Sequence, residues 1–267
     1  MGVLNVTPDS FSDGGRHLAH DAAVRRGLAL AASGADVVDV GGESTRPGAD
    51  PVPADEELAR VVPVIEALAP YVRISVDTRK AVVAEAAVAA GATLINDVSA
   101  SLHEVAAREG VGFVAMHMLG DPRTMQRRPS YDDVVAEVRD FLVERAEAAR
   151  RVGVDEVWID PGIGFGKTVE HNLALLGAVG TLAGTGFPVL VGASRKRFLG
   201  VMLAEADGGS GVPRDQRDHQ DHQDPVPVDD RLEGSVTSAL WAIAQGAAMV
   251  RVHDVADTVA ALRAVAA

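Results

Sequence analysis

The feature that most constrains the fold of this chain is an alternation, repeated along its whole length, of short β-branched runs and longer alanine-rich segments with helical spacing. We predict eight strands, each followed by a helical segment, at residues 1–6, 36–41, 72–77, 93–98, 112–117, 156–160, 187–192 and 248–253. Dividing 267 residues by eight gives about 33 per unit, the usual size of a βαβ repeat with a buried parallel strand. The pattern predicts an α/β protein with one (β/α)₈ (TIM) barrel over residues 1–267.

Polar residues gather in the segments that leave the predicted strands. In barrels of this kind the active site is built at the C-terminal ends of the strands, so these segments predict the functional rim. Its first loop runs from Asn5 to Gly15. One segment breaks the alternation: Ala206 to Asp230 is rich in Asp, Gly, Pro and Gln, which predicts a solvated, flexible insertion after the seventh strand.

Charge and composition narrow the class of partner. A net charge of −13 opposes nonspecific binding to nucleic acid or to an anionic membrane, so an anionic ligand would need a local cluster of cations. No stretch approaches the roughly 18 apolar residues of a membrane span, and the first ten residues lack the pattern of a signal peptide. The chain has no cysteine, which is compatible with a reducing compartment. We expect a cytoplasmic protein without nucleic-acid or membrane partners.

The eighth predicted strand carries two candidate cations. Arg251 and His253 are two residues apart, so both project to one side of the strand. Burying them is costly unless an anion completes the site; the alternative is an ion pair with a neighbouring Asp. Arg46, on a glycine-rich loop, is a third cation, and Asn5 supplies a neutral oxygen suited to a hard metal ion. Together they predict a site for diphosphate with Mg²⁺.

Three further polar residues, Asp77, Asn96 and Asp160, fall at the ends of predicted strands three, four and six. Carboxylate and amide groups at neighbouring strand ends suit the edge of a flat nitrogen heterocycle. For each residue taken singly, the alternative is a helix N-cap. Three of them at one rim favour a ligand site.

Two glycine-containing segments follow strands six and seven. Lys196 in "GASRKRFLG" lies near the start of a predicted helix, where a carboxylate could bind; the alternative is a surface position. The run "GIGFGK" lacks the spacing of a phosphate-binding loop, so we predict a tight turn that presents Phe165 for stacking.

Eight ordered motifs, "MGVLNVTPDSFSDGG", "DVGGESTRPGA", "ISVDT", "LINDVSA", "MHMLGDPRTMQ", "DPGIGFGKT", "GASRKRFLG" and "VRVHDV", together resemble the dihydropteroate synthases of folate biosynthesis from end to end. The resemblance implies a Mg²⁺-dependent transferase that condenses 6-hydroxymethyl-7,8-dihydropterin diphosphate with 4-aminobenzoate to give 7,8-dihydropteroate and diphosphate. It also implies a homodimer inhibited by sulfonamides. The insertion at 206–230 is longer and more polar than this family leads us to expect.

The resemblance also implies roles for individual residues. Asn5 would hold Mg²⁺ and diphosphate, with Asp9, Arg46, Arg251 and His253 completing the anion site. The pterin would be bound by Asp77, Asn96, Asp160 and Lys196, between the apolar walls Met116 and Phe165. The aminobenzoate pocket would comprise Phe11, Thr45, Pro47, Lys196 and the backbone at Arg197. The residues expected to carry catalysis are Asn5, Asp9, Lys196, Arg251 and His253, acting by positioning and charge stabilisation.

Three other functions fit parts of the pattern. A methyltetrahydrofolate-dependent methyltransferase-like barrel would share the pterin pocket but would not need the cations Arg46, Arg251 and His253. A non-catalytic paralogue would bind pterin without turnover, against which the intact Asn5, Asp9 and Lys196 argue. A metal-dependent barrel hydrolase is weaker still, because the chain has no H-x-H or H-E-x-x-H ligand set.

Overall fold

The computed structural model describes residues 1–7, 15–44, 49–207 and 225–266, with the side chains of residues 15–18 and 207 left out. The described strands are β1 Gly2–Asn5, β2 Val37–Gly41, β3 Arg73–Asp77, β4 Leu94–Asp97, β5 Gly112–Met116, β6 Val157–Asp160, β7 Leu190–Val191 and β8 Met249–Val250. The described helices are α1 Gly15–Ala32, α2 Ala54–Leu68, α3 Ala81–Ala89, α4 His103–Glu109, α5 Val134–Arg151, α6 Val169–Gly177, α7 Val179–Ala183, α8 Arg197–Asp207, α9 Leu232–Ala244 and α10 Val255–Ala266. Each strand falls within a predicted run, and β7 and β8 are shorter than predicted.

All strand pairings are parallel, and they close into a cylinder. Strands β1 to β6 form one sheet in sequence order, and β7 pairs with β8. A parallel bridge between Ile159 and Val189 joins β6 to the segment that leads into β7. A second bridge, Gly2 to Val252, joins β8 to β1, where the Val3 N–H donates to the Val252 carbonyl at 2.9 Å. The predicted (β/α)₈ barrel is confirmed.

The inside of the barrel changes character along its axis. At its N-terminal end it is filled by an apolar cluster of Met1, Val37, Leu94, Val114 and Leu190, against which Trp158 and Met249 pack. Because side chains alternate along a strand, the residues two positions further on occupy the same inner face. In β2, β4, β5 and β6 and after β8 those residues are Asp39, Asn96, Met116, Asp160 and Arg251, whereas Val3 and Gly192 follow Met1 and Leu190. The barrel therefore has an apolar floor and a polar layer above it.

The opposite face of the strands packs against the helices. Residues with the alternate spacing, such as Val38, Ile95, Phe113 and Ile159, are completely buried in the larger hydrophobic cluster. Complete burial of one such side chain contributes about 1.5–3 kcal/mol, so this layer fixes the register of the strands. The register in turn decides which residues face the barrel interior.

Residues 208–224 of the predicted insertion lie outside the described residues. Its C-terminal end is described and is attached to α8: the Val226 N–H donates to the Gly200 carbonyl at 3.0 Å, and Val228–Asp230 form a single 3₁₀ turn. The Nε of Arg231 donates to the Val226 carbonyl at 2.7 Å. No helix within the described ranges has the length and apolarity to cross a membrane.

Candidate active site

The polar layer of the barrel is organised around Asp39 in β2. Its side chain is completely buried, and its Oδ2 accepts from Arg251 Nε at 2.6 Å and from Asn96 Nδ2 at 3.0 Å. The Nη2 of Arg251 also donates to Asp77 Oδ2 at 2.8 Å. Side chains from β2, β3, β4 and the segment after β8 therefore form one hydrogen-bonded network across the barrel mouth.

The electrostatics of this network keep Arg251 charged. Burial opposes a guanidinium charge, but Asp39 and Asp77 raise the pKa of Arg251 above its ordinary value. Burial raises the pKa of Asp77 to about 7, although the charge of Arg251 acts in the opposite direction. The ion pair with Asp that we weighed as the alternative for Arg251 is thus present, and it lies inside the barrel, where that side chain was predicted to point.

Three buried polar atoms of this layer have no hydrogen-bond partner within the described ranges: Asp39 Oδ1, Asn96 Oδ1 and Ser75 Oγ. A buried acceptor without a donor costs about 1–3 kcal/mol, and such groups in native proteins call for a ligand, water or a functional reason. Two of the three are acceptors on the inner face of β2 and β4, which lie on either side of β3. The layer is therefore built to receive the donors of a ligand.

The alternative role of Asp77, Asn96 and Asp160 as helix N-caps is excluded by the positions at which the following helices begin. The N-cap residue of α3 is Lys80, that of α4 is Leu102 and that of α6 is Thr168. The neighbour of Asn96, Asp97, organises the loop before α4 instead, accepting from the backbone N–H groups of Ser99, Ser101 and Leu102.

Lys196, in the segment after β7, reaches the turn after the neighbouring strand β6. Its Nζ donates to the Ile163 carbonyl and lies 4.4 Å from the centre of the Phe165 ring. Burial lowers the pKa of Lys196 to about 8, while the charge of Asp160 acts to raise it. Asp160 accepts from the Gly162 N–H at 2.7 Å, and burial raises the pKa of this carboxyl. Lys196 is therefore not a surface lysine.

The "GIGFGK" segment forms the predicted tight turn. The Phe165 N–H donates to the Gly162 carbonyl at 3.0 Å, and Gly162, Gly164 and Gly166 all have positive φ, at 63°, 84° and 63°. At Gly162 a Cβ would lie 1.8 Å from the His117 carbonyl oxygen, so only glycine fits there. The Phe165 ring is presented towards Lys196.

The other predicted residues take several positions around this mouth. Met116 is buried on the inner face of β5, and Asn5 ends β1. His253 Nδ1 lies 3.0 Å from Ser194 Oγ, which ties the segment after β8 to the segment after β7. Arg197 is the exposed first residue of α8. The remaining predicted residues, Asp9, Phe11, Thr45, Arg46 and Pro47, lie outside the described residues.

Two elements of the site were missed by the sequence analysis. Asp39 is the centre of the network, and its signal was a carboxylate flanked by valines in the interior of the predicted strand "DVVDVG". Lys167 is buried next to the Phe165 turn, with its Nζ 2.9 Å from His117 Nδ1. Burial lowers the pKa of Lys167 to about 7, and nearby Lys196 adds to this effect.

Comparison with known proteins places this site in a class. The model of the pterin-binding enzyme family matches residues 1–253, so the barrel and its polar mouth define a pterin-binding enzyme. A dihydropteroate synthase of Mycobacterium leprae is 46% identical over 100% of this chain and 92% of its own length. That of Escherichia coli strain K12 is 42% identical over 100% of this chain and 90% of its own length.

The solved structures narrow the class further. A dihydropteroate synthase of Yersinia pestis with a sulfonamide drug superposes with a TM-score of 0.86 at 42% identity, covering 100% of this chain and 92% of that one. One from Xanthomonas albilineans in complex with 7,8-dihydropteroate has a TM-score of 0.81 at 45% identity, covering 100% of this chain and 93% of that one. The chain belongs to the dihydropteroate synthase family. The resemblance seen in its motifs is confirmed, as is its assignment as a transferase of folate biosynthesis.

Proposed function

We propose that this enzyme condenses 6-hydroxymethyl-7,8-dihydropterin diphosphate with 4-aminobenzoate to form 7,8-dihydropteroate and diphosphate. The observation that carries the proposal is the polar layer of Asp39, Asp77, Asn96, Asp160 and Arg251 above an apolar barrel floor. It is supported by the Xanthomonas albilineans enzyme, whose structures contain 7,8-dihydropteroate and 4-aminobenzoic acid.

The pterin ring suits this layer by its hydrogen-bonding edge. Its amino group and ring N–H groups are donors, and Asp39 Oδ1 and Asn96 Oδ1 are buried acceptors without a described partner. Asp160 lies on the other side of the mouth. One of its carboxylate oxygens accepts from the Gly162 N–H, and the second oxygen adds a further acceptor for the ring. Phe165 and Met116 supply flat and apolar surface for the two faces of the ring.

Diphosphate and Mg²⁺ would lie further out, where the strand-end loops rise above the layer. The residues fit Mg²⁺: Asn5 offers an amide oxygen, and Mg²⁺ is usually held by one or two protein oxygens together with substrate phosphates and water. Within the described ranges no group of three or more His, Asp or Glu side chains could hold a metal by itself. We therefore assign Asn5 to Mg²⁺ bound with the diphosphate, and His253 to the diphosphate. Bound magnesium neutralises charge on the leaving diphosphate.

In the proposed reaction, the bond between the pterin methylene carbon and the diphosphate oxygen breaks, and the aminobenzoate nitrogen forms the new bond to that carbon. The electron-rich pterin carries the positive charge that develops as diphosphate leaves, and the arylamine releases a proton after attack. The protein contributes orientation and charge complementarity, for which Arg251, Lys196 and Asp160 are positioned by the network around them. A strong general base is not required.

We also propose that Phe11, Thr45, Pro47, Lys196 and the backbone at Arg197 bind aminobenzoate, with Asp9 and Arg46 on the diphosphate. The Yersinia pestis enzyme in complex with a sulfonamide drug supports the proposal that sulfonamides inhibit this chain. A homodimer, a cytoplasmic location and a single domain remain proposals drawn from the sequence and the family.

The test is a turnover assay that follows 7,8-dihydropteroate with both substrates, with and without Mg²⁺. We expect turnover that requires both substrates and is lost on chelation of the metal. A protein that binds pterin but forms no dihydropteroate would instead be the non-catalytic paralogue. The relatives named above argue against the methyltransferase alternative.

A further inference from the structure

The turn that carries Phe165 is held by four side chains, three of which come from other loops. Its four consecutive carbonyl oxygens, at residues 163–166, each accept a side-chain hydrogen bond. The donors are Lys196 Nζ to Ile163, Gln126 Nε2 to Gly164 at 2.7 Å, Lys167 Nζ to Phe165 at 3.0 Å, and Tyr131 Oη to Gly166 at 2.8 Å. In addition, Asn172 Oδ1 accepts from the Gly164 N–H at 2.7 Å.

Such a turn needs external support. Three of its residues are glycines with positive φ, and glycine loses more conformational freedom on ordering than any other residue. Its carbonyls also point away from the regular hydrogen-bonding ladder of β6, so each requires another donor. The four side chains supply these donors and restrict the backbone at the same time.

The donors come from separate segments of the barrel. Gln126 and Tyr131 belong to the loop between β5 and α5, whereas Lys196 lies between β7 and α8. Lys167 is 3% exposed, and its Nζ also contacts His117 Nδ1 at the end of β5. The position of the Phe165 ring is therefore determined by the two neighbouring strand-end loops as well as by its own.

We propose that Gln126, Tyr131 and Lys167 are positioning residues that act through the 163–166 carbonyls to hold Phe165 and Lys196 as one wall of the pterin site. Lys196 both donates to this turn and lies over the Phe165 ring, so the two groups are placed relative to each other. The inference deepens the proposed function and rests on it, because the wall has a role only if a pterin binds beside it.

Tyr131 is the sharpest probe of this arrangement. Burial raises the pKa of Tyr131 to about 12, so its hydroxyl stays protonated and donates to Gly166 at ordinary pH. Tyr131→Phe removes that donor and keeps the ring, whose centre lies 6.1 Å from His117 and 5.0 Å from His171. The chain has only two tyrosines, and Tyr71, 72% exposed at the opposite end of the barrel, provides a matched control.

The first measurement is calorimetric titration with 6-hydroxymethyl-7,8-dihydropterin, alongside thermal unfolding. We expect Tyr131→Phe to raise the Kd for this pterin about three- to ten-fold, the equivalent of one lost hydrogen bond, and Tyr71→Phe to leave it unchanged. Gln126→Met, at an exposed position, removes the donor to Gly164 and should raise the same Kd in the same way. Unchanged pterin affinity in both variants would overturn the inference.

The second measurement is a double-variant cycle with Phe165→Ala. If Tyr131 acts through the Phe165 ring, Tyr131→Phe has little further effect on pterin affinity once the ring is removed. An equal fold-loss in both backgrounds, or a Phe165→Ala variant that binds pterin as well as wild type, would refute the positioning role. If wild type binds pterin and turns over while the cycle fails, only this inference is lost; a wild type that binds no pterin refutes the proposed function as well.

Discussion

Replacing Asp39 by asparagine keeps the shape of the side chain and removes the charge that faces Arg251 inside the barrel. In the native network Asp39 Oδ2 accepts from both Arg251 Nε, at 2.6 Å, and Asn96 Nδ2, at 3.0 Å. An asparagine has one acceptor oxygen and one amide donor. With its oxygen on that shared position, its NH₂ group would replace Asp39 Oδ1, which is buried and has no described partner.

The size of the effect follows from these contacts. Removing one partner of a buried ion pair costs roughly 3–5 kcal/mol, but Arg251 keeps a second carboxylate, Asp77, at 2.8 Å. A lost charge-assisted hydrogen bond alone is worth about 1.5–3 kcal/mol, and an unsatisfied buried amide adds to it. We therefore expect Asp39→Asn to lower the free energy of unfolding by about 2–4 kcal/mol, or Tm by roughly 4–16 °C for a domain of this size.

The assay is urea unfolding of the ligand-free enzyme at pH 7, repeated for Arg251→Met and for the double variant. Because Arg251→Met leaves Asp39 buried without its cation, the double variant should be less destabilised than the sum of the single ones. A stability change below about 0.5 kcal/mol for Asp39→Asn, or simple additivity in the double variant, would show that the two groups do not interact as the structure indicates.

Three further perturbations test other parts of the site. Asp160→Asn replaces an acceptor by a donor on the pterin edge. We therefore expect calorimetry to give at least a ten-fold higher Kd for pterin, a loss of about 1.4 kcal/mol of binding free energy. An unchanged Kd would restrict the role of Asp160 to its hydrogen bond with Gly162. Since burial lowers the pKa of Lys196 to about 8, kcat/KM for aminobenzoate should fall as pH rises through that value. Lys196→Arg stays protonated and should shift the fall to higher pH, whereas identical pH profiles would contradict the assignment. Asp254 accepts from Arg195, whose φ is 59°, and this bond lowers the pKa of the carboxyl. Asp254→Asn should therefore lower the free energy of unfolding by about 1 kcal/mol at pH 7, after screening by solvent. This difference from wild type should fade as the pH falls below 3.8, the ordinary pKa of an aspartate, toward the lowered pKa of Asp254. A difference that persists in acid would refute the ion pair.

The order and type of the elements could be predicted because each strand is a buried β-branched run with helical sequence on both sides. The extent of β7 could not be. The predicted run 187–192 contains Pro188, which has no N–H to donate, and regular pairing is confined to Leu190–Val191. The meeting of Asp77, Asn96 and Asp160 at one mouth could also be predicted, since parallel strands bring their carboxyl ends to the same edge.

The partners of Arg251 could not be predicted in the same way. Its two carboxylates lie 212 and 174 positions earlier in the chain, and only closure of β8 onto β1 brings them within reach. Asp39 was overlooked for a related reason, because a lone carboxylate inside a strand has no obvious role until the barrel supplies a cation opposite it. Three of the four carbonyls of residues 163–166 likewise find their donors on other loops.

One geometric rule connects the floor, the site and its support. In several strands the apolar floor residue and a polar residue are two positions apart on the same inner face, as in Val37 with Asp39 and Leu94 with Asn96. The floor excludes water from below, which strengthens the ion pairs above it and makes their unpaired acceptors costly without a ligand. The same strand register that buries the outer face against the helices therefore sets both the position and the affinity of the site. A change that shifts one strand by a single residue would exchange its two faces and abolish both.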